Sequence, residues 1–164
     1  MRIAVVAFGK LKTPGLAPAI EHYIKMASIW AKIEHIELKP LAVPGKDPAT
    51  RARIQEAEAQ LLRARLSGIL KNPSDYFLLD ESGRQLTSHA WSALLGVCQN
   101  DVSGTVAFCV GSSLGFSKGL KTQAKAVLSL GAQTLPHELA RVVLYEQLYR
   151  ALSILKRHPY HNEG

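Results

Sequence analysis

Cysteine is scarce in this chain. Cys98 and Cys109 are the only two among 164 residues, both in apolar surroundings, and they form no metal-ligand pair. That excludes a disulfide framework and leads us to expect two buried, reduced thiols in a cytoplasmic protein, with no metal bound. Long apolar runs are missing too: stretches such as Ile3–Phe8 fall far short of the ~18 residues that a membrane span needs. The N-terminal MRIAVVAFGK offers six apolar residues behind one early positive charge, too few for the core of a secretory signal, so none is expected. Repeats and low-complexity segments are also lacking. What is present is ordinary for a chain that buries a core: 47% hydrophobic and 20% charged residues, which excludes disordered and fibrous classes. The length suits a single domain over residues 1–164.

Acidic residues are the scarcer sign, 13 against 20 Lys and Arg, for a net charge of +7. The excess has a location. Residues 1–72 carry 12 basic and 6 acidic groups, residues 73–136 carry 4 of each, and residues 137–164 carry 4 and 3. A basic balance is compatible with a plain solvated surface or with a polyanion partner. If RNA is that partner, the first half should supply most of the phosphate contacts.

Ile3–Phe8 reads as a buried strand ended by Gly9 and the basic turn Lys10–Lys12. Leu16 to Trp30 carries helix-compatible apolar positions, and Ile33–Leu38 a second strand. After a loop with Pro40, Pro44, Gly45 and Pro48, an amphipathic helix is expected over 49–70, with Ile54, Leu61, Leu62, Leu66 and Ile69 inward and Arg51, Arg53, Arg63 and Arg65 largely outward. Tyr76–Leu79 is a strand ending at Asp80 and a turn around Gly83; Ser88 is placed to cap a helix running to about Asn100. Thr105–Val110 is the clearest buried strand, followed by a short helix, the apolar segment Ala126–Leu130, and a long helix from His137 to Leu155. Strands alternating with helices predict an α/β fold with a mainly parallel sheet flanked by helices. Ligands bind such sheets at the carboxyl ends of strands, so the loops after Leu79, Val110 and Leu130 are the candidate site. The last helix is apolar on nearly every side, which calls for a second covering surface, and a homodimer built on it is the economical answer.

The loop Gly111-Ser112-Ser113-Leu114-Gly115-Phe116-Ser117-Lys118-Gly119 can bring backbone N–H groups close to an anionic ligand. It is neither a Walker A loop nor a dinucleotide G-x-G-x-x-G fingerprint, and a plain turn is the alternative. In Leu130-Gly131-Ala132-Gln133-Thr134-Leu135-Pro136-His137, Gly131 permits close backbone approach and Pro136 can open the next helix, as in any strand-to-helix connection. The tail Arg157-His158-Pro159-Tyr160-His161-Asn162 lacks a carboxylate or thiolate that would complete a metal site with its histidines. Its His and Tyr side chains suit stacking and hydrogen bonding to an RNA base, and a disordered tail is the alternative.

The ending TLPHELARVVLYEQLYRALSILKRHPYH, with AFGKLK at the start and VGSSLGF in the loop, resembles the RlmH-type family, the ribosomal RNA large-subunit pseudouridine N3-methyltransferases of the SPOUT superfamily. The similarity covers essentially the whole chain. It implies a C-terminal trefoil knot, which general topology rules argue against. It also implies a homodimer, S-adenosylmethionine as co-substrate, and 23S rRNA within the assembled ribosome as partner. Carried over by position, the donor site is Leu79, Gly111, Leu130, Gly131, Ala132, Gln133, Thr134 and Leu135. The family's loop usually reads G-G-x-[DEN]-G, whereas this chain has Ser112 and Leu114; local drift with the backbone contacts kept is the expected reading. For the chemistry, Tyr160 and His161 are expected to position the base, His137 and Arg141 to shape the polar environment, and Arg150 to contact phosphate or to pair structurally; mutual ion pairing of Arg141, Glu146 and Arg150 along the helix is the alternative. The rivals are a SPOUT RNA methyltransferase of another specificity and a non-catalytic ribosome-associated binding module.

Overall fold

Strands that are apolar at every position need cover on both faces, and the helices provide it. The computed structural model describes residues 1–45, 47–101 and 104–160. In chain order they form β1 (Arg2–Phe8), α1 (Leu16–Ala27), β2 (Lys32–Leu38), α2 (Pro48–Ser67), β3 (Tyr76–Gln85), α3 (Ser88–Asn100), β4 (Thr105–Val110), α4 (Lys118–Gln123), β5 (Ala126–Ser129) and α5 (His137–Leu155). The strands make one sheet in the order β2-β1-β4-β3-β5, with every pair parallel. The expected α/β fold is therefore the observed one. All five strands end at the same edge, and the loops that follow them gather there.

Alternation along β1 divides the core in two. Ile3, Val5 and Ala7 pack with Ile20 of α1, Trp91 and Leu95 of α3, and Leu144 and Tyr145 of α5. Ala4, Val6 and Phe8 pack on the other face with Ala59, Leu62 and Leu66 of α2 and Leu120 of α4. Each such fully buried Leu, Val or Phe stabilises the fold by about 2 kcal/mol relative to an exposed one.

Three local expectations are corrected. The strand begun at Tyr76 does not stop at Leu79. It shifts register and continues to Gln85, pairing Arg84 with the same Leu128 that Leu79 faces. Gly83 makes this possible, because a β-carbon there would lie 2.5 Å from the backbone carbon of Leu128. The cap of α3 is Thr87, whose hydroxyl accepts from the Ala90 N–H at 3.2 Å, while Ser88 is the first helical residue. Leu61 lies 43% exposed, because the buried stripe of α2 runs through Ile54, Glu58, Leu62 and Leu66 instead. The apolar α5 finds much of its cover within the chain: it lies between α1 and α3, with Trp30 stacked on Tyr149 at 5.8 Å between ring centres. Leu139 remains 40% exposed, and Val142 and Val143 are half-buried.

Candidate active site

A cleft of about 710 Å³ opens at the strand ends, between the loop that follows β4 and the loop that joins β5 to α5. Its floor is Leu79 and Val110, the last inward residues of two central strands. Gly111, Ser112 and Leu114 line one wall; Leu130, Gly131, Gln133, Thr134 and Leu135 line the other. Seven of the eight residues expected at a donor site therefore converge. The eighth, Ala132, belongs to the second loop but is exposed and does not line the cleft.

The first wall is a tight turn. Gly115 N–H donates to the Ser112 carbonyl at 3.0 Å, and Gly115 adopts φ +70°, a left-handed conformation suited to glycine. A β-carbon on Gly111 would meet the Phe116 ring at 3.3 Å, so the backbone here is bare and close to its neighbours. In the second wall the Ser129 hydroxyl donates to the Gly131 carbonyl at 2.6 Å, and Thr134 donates to the Glu81 carboxylate. The size of the cleft and its mixture of aliphatic side chains with backbone polar groups suit a nucleoside-sized ligand.

Composition alone hides the charged groups of the cleft. Asp80 follows Leu79 and pairs with Lys121 of α4 at 2.7 Å. Burial pushes the Asp80 carboxyl up, but the Lys121 ammonium and the Ser82 hydroxyl and amide outweigh it and hold it below the usual carboxylate range. Arg51, at the start of α2, reaches the rim. Asp80 and Glu81 fall in the segment after Leu79 that the sequence already marks as part of the candidate site, although neither is singled out there.

His137 opens α5 at the mouth of the cleft, and its Nε2 would lie 3.4 Å from a β-carbon on Gly9. One turn on, Arg141 is fully buried and points away from the cleft: its Nη2 donates to the carbonyls of Phe8 at 2.6 Å and Gly9 at 2.8 Å, and Nη1 reaches Glu37 at 3.3 Å. It anchors α5 to the end of β1. Glu138 accepts from the N–H groups of Lys12 and Thr13, both at 2.8 Å, and these bonds hold its carboxyl below the usual range. The basic turn is thus clamped through its backbone while Lys10 and Lys12 stay exposed.

Tyr160 sits elsewhere. Its ring lies 4.5 Å from that of Tyr149, with the Arg150 guanidinium 4.9 Å above it, and its hydroxyl donates to Glu146 at 3.3 Å. Glu146 is nine residues beyond His137, about 14 Å along the helix, so Tyr160 is not brought to the cleft of its own chain. Burial, then the Glu146 charge, pushes its phenol up to about 12. Arg150 pairs with Glu146, the structural alternative of its two expected roles. His161 lies outside the described residues. His158 meets Trp30 edge-on at 5.1 Å, and no group of three or more His, Cys, Asp or Glu able to hold a metal occurs among the described residues.

A family model described as "Predicted SPOUT methyltransferase" matches residues 1–161. The chain belongs to the SPOUT methyltransferase family. It is 36% identical to the Ribosomal RNA large subunit methyltransferase H of Clostridium botulinum (strain Hall), over 98% of this chain and 99% of that protein. It is 38% identical to the protein of the same name from Maridesulfovibrio salexigens, over 98% of both chains. Among solved structures, a probable methyltransferase from Bordetella pertussis Tohama I matches with TM-score 0.56 at 15% identity, over 92% of this chain and 93% of that one, a likeness of fold. In this SPOUT chain the three loops that line the cleft are the loops that the resemblance assigns to the donor.

Proposed function

We propose that this chain transfers a methyl group from S-adenosylmethionine to N3 of a pseudouridine in the 23S RNA of the large ribosomal subunit. In this reading it works as a cytoplasmic homodimer on the assembled ribosome, and its C-terminal segment follows the trefoil-knot path of the family. The observation that carries the proposal is the convergence of Leu79, Gly111 and the 130–135 loop on one cleft, in a chain matched from end to end by proteins named for methylating this RNA. No described helix is long and apolar enough to cross a membrane.

The donor brings a methyl group already activated on a sulfonium. What remains for the protein is orientation and one proton. Bare backbone at Gly111 and Gly131, with the aliphatic floor, would hold the donor; alignment of its methyl with the base can supply much of the rate. N3 of pseudouridine becomes nucleophilic once its imide proton leaves, and His137 at the mouth is placed to hydrogen-bond the base as that happens. Arg141 serves indirectly, by fixing the turn beneath His137. Tyr160 would donate a hydrogen bond to the base or stack on it. Because Tyr160 lies far from its own cleft, the tail carrying Tyr160 and His161 reaches the cleft of the second subunit in this reading. The exposed Leu139 supports pairing through α5. Lys10, Lys12, Arg51 and Arg53 then form the phosphate-facing surface.

Calorimetry with S-adenosylmethionine and mass spectrometry of ribosomal RNA from a strain lacking the protein test the proposal. Donor binding and a single missing methylpseudouridine are expected. No binding, or a methyl lost from a ribose or another base, contradicts it. The composite site is tested by mixing Gly111→Val chains with chains carrying Tyr160→Ala and His161→Ala. Recovered activity is expected, and its absence in every mixture argues against a shared site.

A further inference from the structure

Glu58 occupies a position that packing alone would give to an apolar residue. It follows Ile54 and precedes Leu62 and Leu66 at four-residue intervals on the buried stripe of α2, and only 3% of it is exposed. A buried carboxylate is costly unless its oxygens are hydrogen-bonded. Both are: Oε1 accepts from the Leu41 N–H at 2.9 Å and Oε2 from the Ser112 hydroxyl at 2.6 Å. The Ser112 oxygen in turn accepts from the Leu114 N–H at 3.2 Å, and Gln55, one helical turn before Glu58, donates to the Leu114 carbonyl at 2.6 Å. Two side chains of α2 therefore grip both ends of the turn that forms one wall of the cleft. Ser112 has no positive φ, so the residue departs from the family's glycine without backbone strain, and its side chain supplies the link that a glycine cannot make.

We propose that Glu58 is a positioning residue for the donor loop, holding the Gly111–Gly115 turn, through Ser112, in the shape that receives the methyl donor. This rests on the donor reading given above. The tether also spans three segments: Leu41 belongs to the loop after β2, so one carboxylate ties that loop, α2 and the cleft wall together.

Two measurements on the full-length protein test it. In the absence of ligand, Ser112→Ala should speed amide hydrogen exchange at Leu114 and Gly115. Unchanged exchange at both amides overturns the tether, whatever the ligand is. In calorimetry with S-adenosylmethionine, Ser112→Ala and Glu58→Ala should each weaken binding by about tenfold, the scale of a lost charge-assisted hydrogen bond. The double variant should be little weaker than the worse single one, and Glu58→Gln, whose amide still reaches both partners, should regain most of the affinity lost in Glu58→Ala. Losses that multiply in the double variant, or a melting temperature that falls while donor affinity holds, overturn the positioning role. If Glu58→Ala does not fold, Ser112→Ala and Glu58→Gln still decide the question. Should the unsubstituted protein bind no donor, the donor reading and this role at the donor site both fall, while the exchange result still judges the tether.

Discussion

The two walls of the cleft are built differently. The Gly111–Gly115 wall is gripped from outside by Gln55 and Glu58 and closed by its own turn. The wall from Gly131 to Pro136 exposes Ala132, Gln133 and Thr134 and is held mainly by Thr134 on Glu81 and by Ser129 at its base. One wall is thus tied into α2, whereas the other is more exposed.

Removing the buried guanidinium that ties α5 to the end of β1 should have the largest effect. Arg141→Ala leaves the Phe8 and Gly9 carbonyls and Glu37 without their buried guanidinium, and should cost about 3–5 kcal/mol in chemical denaturation. Arg141→Lys should recover only part of this. Gly83→Ala acts on the second wall alone, by pressing a β-carbon on the β5 backbone that leads into it. A cost of about 1–3 kcal/mol is expected, with faster amide exchange in residues 130–136 and no change at 112–115. Equal changes in both walls would erase the distinction between them. Thr134→Val removes the link to Glu81; stability should change by no more than about 0.5 kcal/mol, and donor affinity by a few-fold at most.

A pH series sharpens the contrast from below. His35 hydrogen-bonds the Tyr145 hydroxyl at 2.7 Å, and burial, reinforced by the Arg141 charge, lowers its pKa from the ordinary 6.5 despite the opposing pull of Glu37. The unfolded chain therefore binds the proton first. Stability contributed by neutral His35 is complete above pH 6.5 and is lost as pH falls from there through the lowered folded value. Thermal melts between pH 7.5 and 5.5 should show this decline, and His35→Gln should flatten it; an unflattened profile assigns the pH dependence to other groups.

Much of this was legible in the sequence, because strands buried on both faces announce themselves as apolar runs. Ile3–Phe8 and Thr105–Val110 behave so, and the parallel pairing of β3 with β4 and β5 brings the three loops together where the cleft forms. Residues that act through buried hydrogen bonds were not legible. Arg141 reads as a polar group of the site or as an ion-pair partner along the helix until α5 is laid across the end of β1. Glu58 reads as part of the polar face of α2, although its place at four-residue spacing between Ile54 and Leu62 was a usable signal. Asp80 and Glu81 read as residues of a turn after Leu79, whereas the register shift between Leu79 and Arg84 keeps them within β3. Tyr160 is assigned to the site by its stacking and hydrogen-bonding chemistry and by the resemblance, and its packing against Glu146 and Tyr149 sets it apart from its own chain's cleft.

The central claim is methyl transfer to N3 of a pseudouridine from a donor held between these two walls. Purified protein should be incubated with S-adenosylmethionine labelled in the methyl group and with ribosomes from the strain that lacks it, and the RNA should be digested to nucleosides. The account predicts label in N3-methylpseudouridine of the large-subunit RNA alone, abolished by Gly111→Val. Label in any other nucleoside, or none while the donor binds, contradicts it.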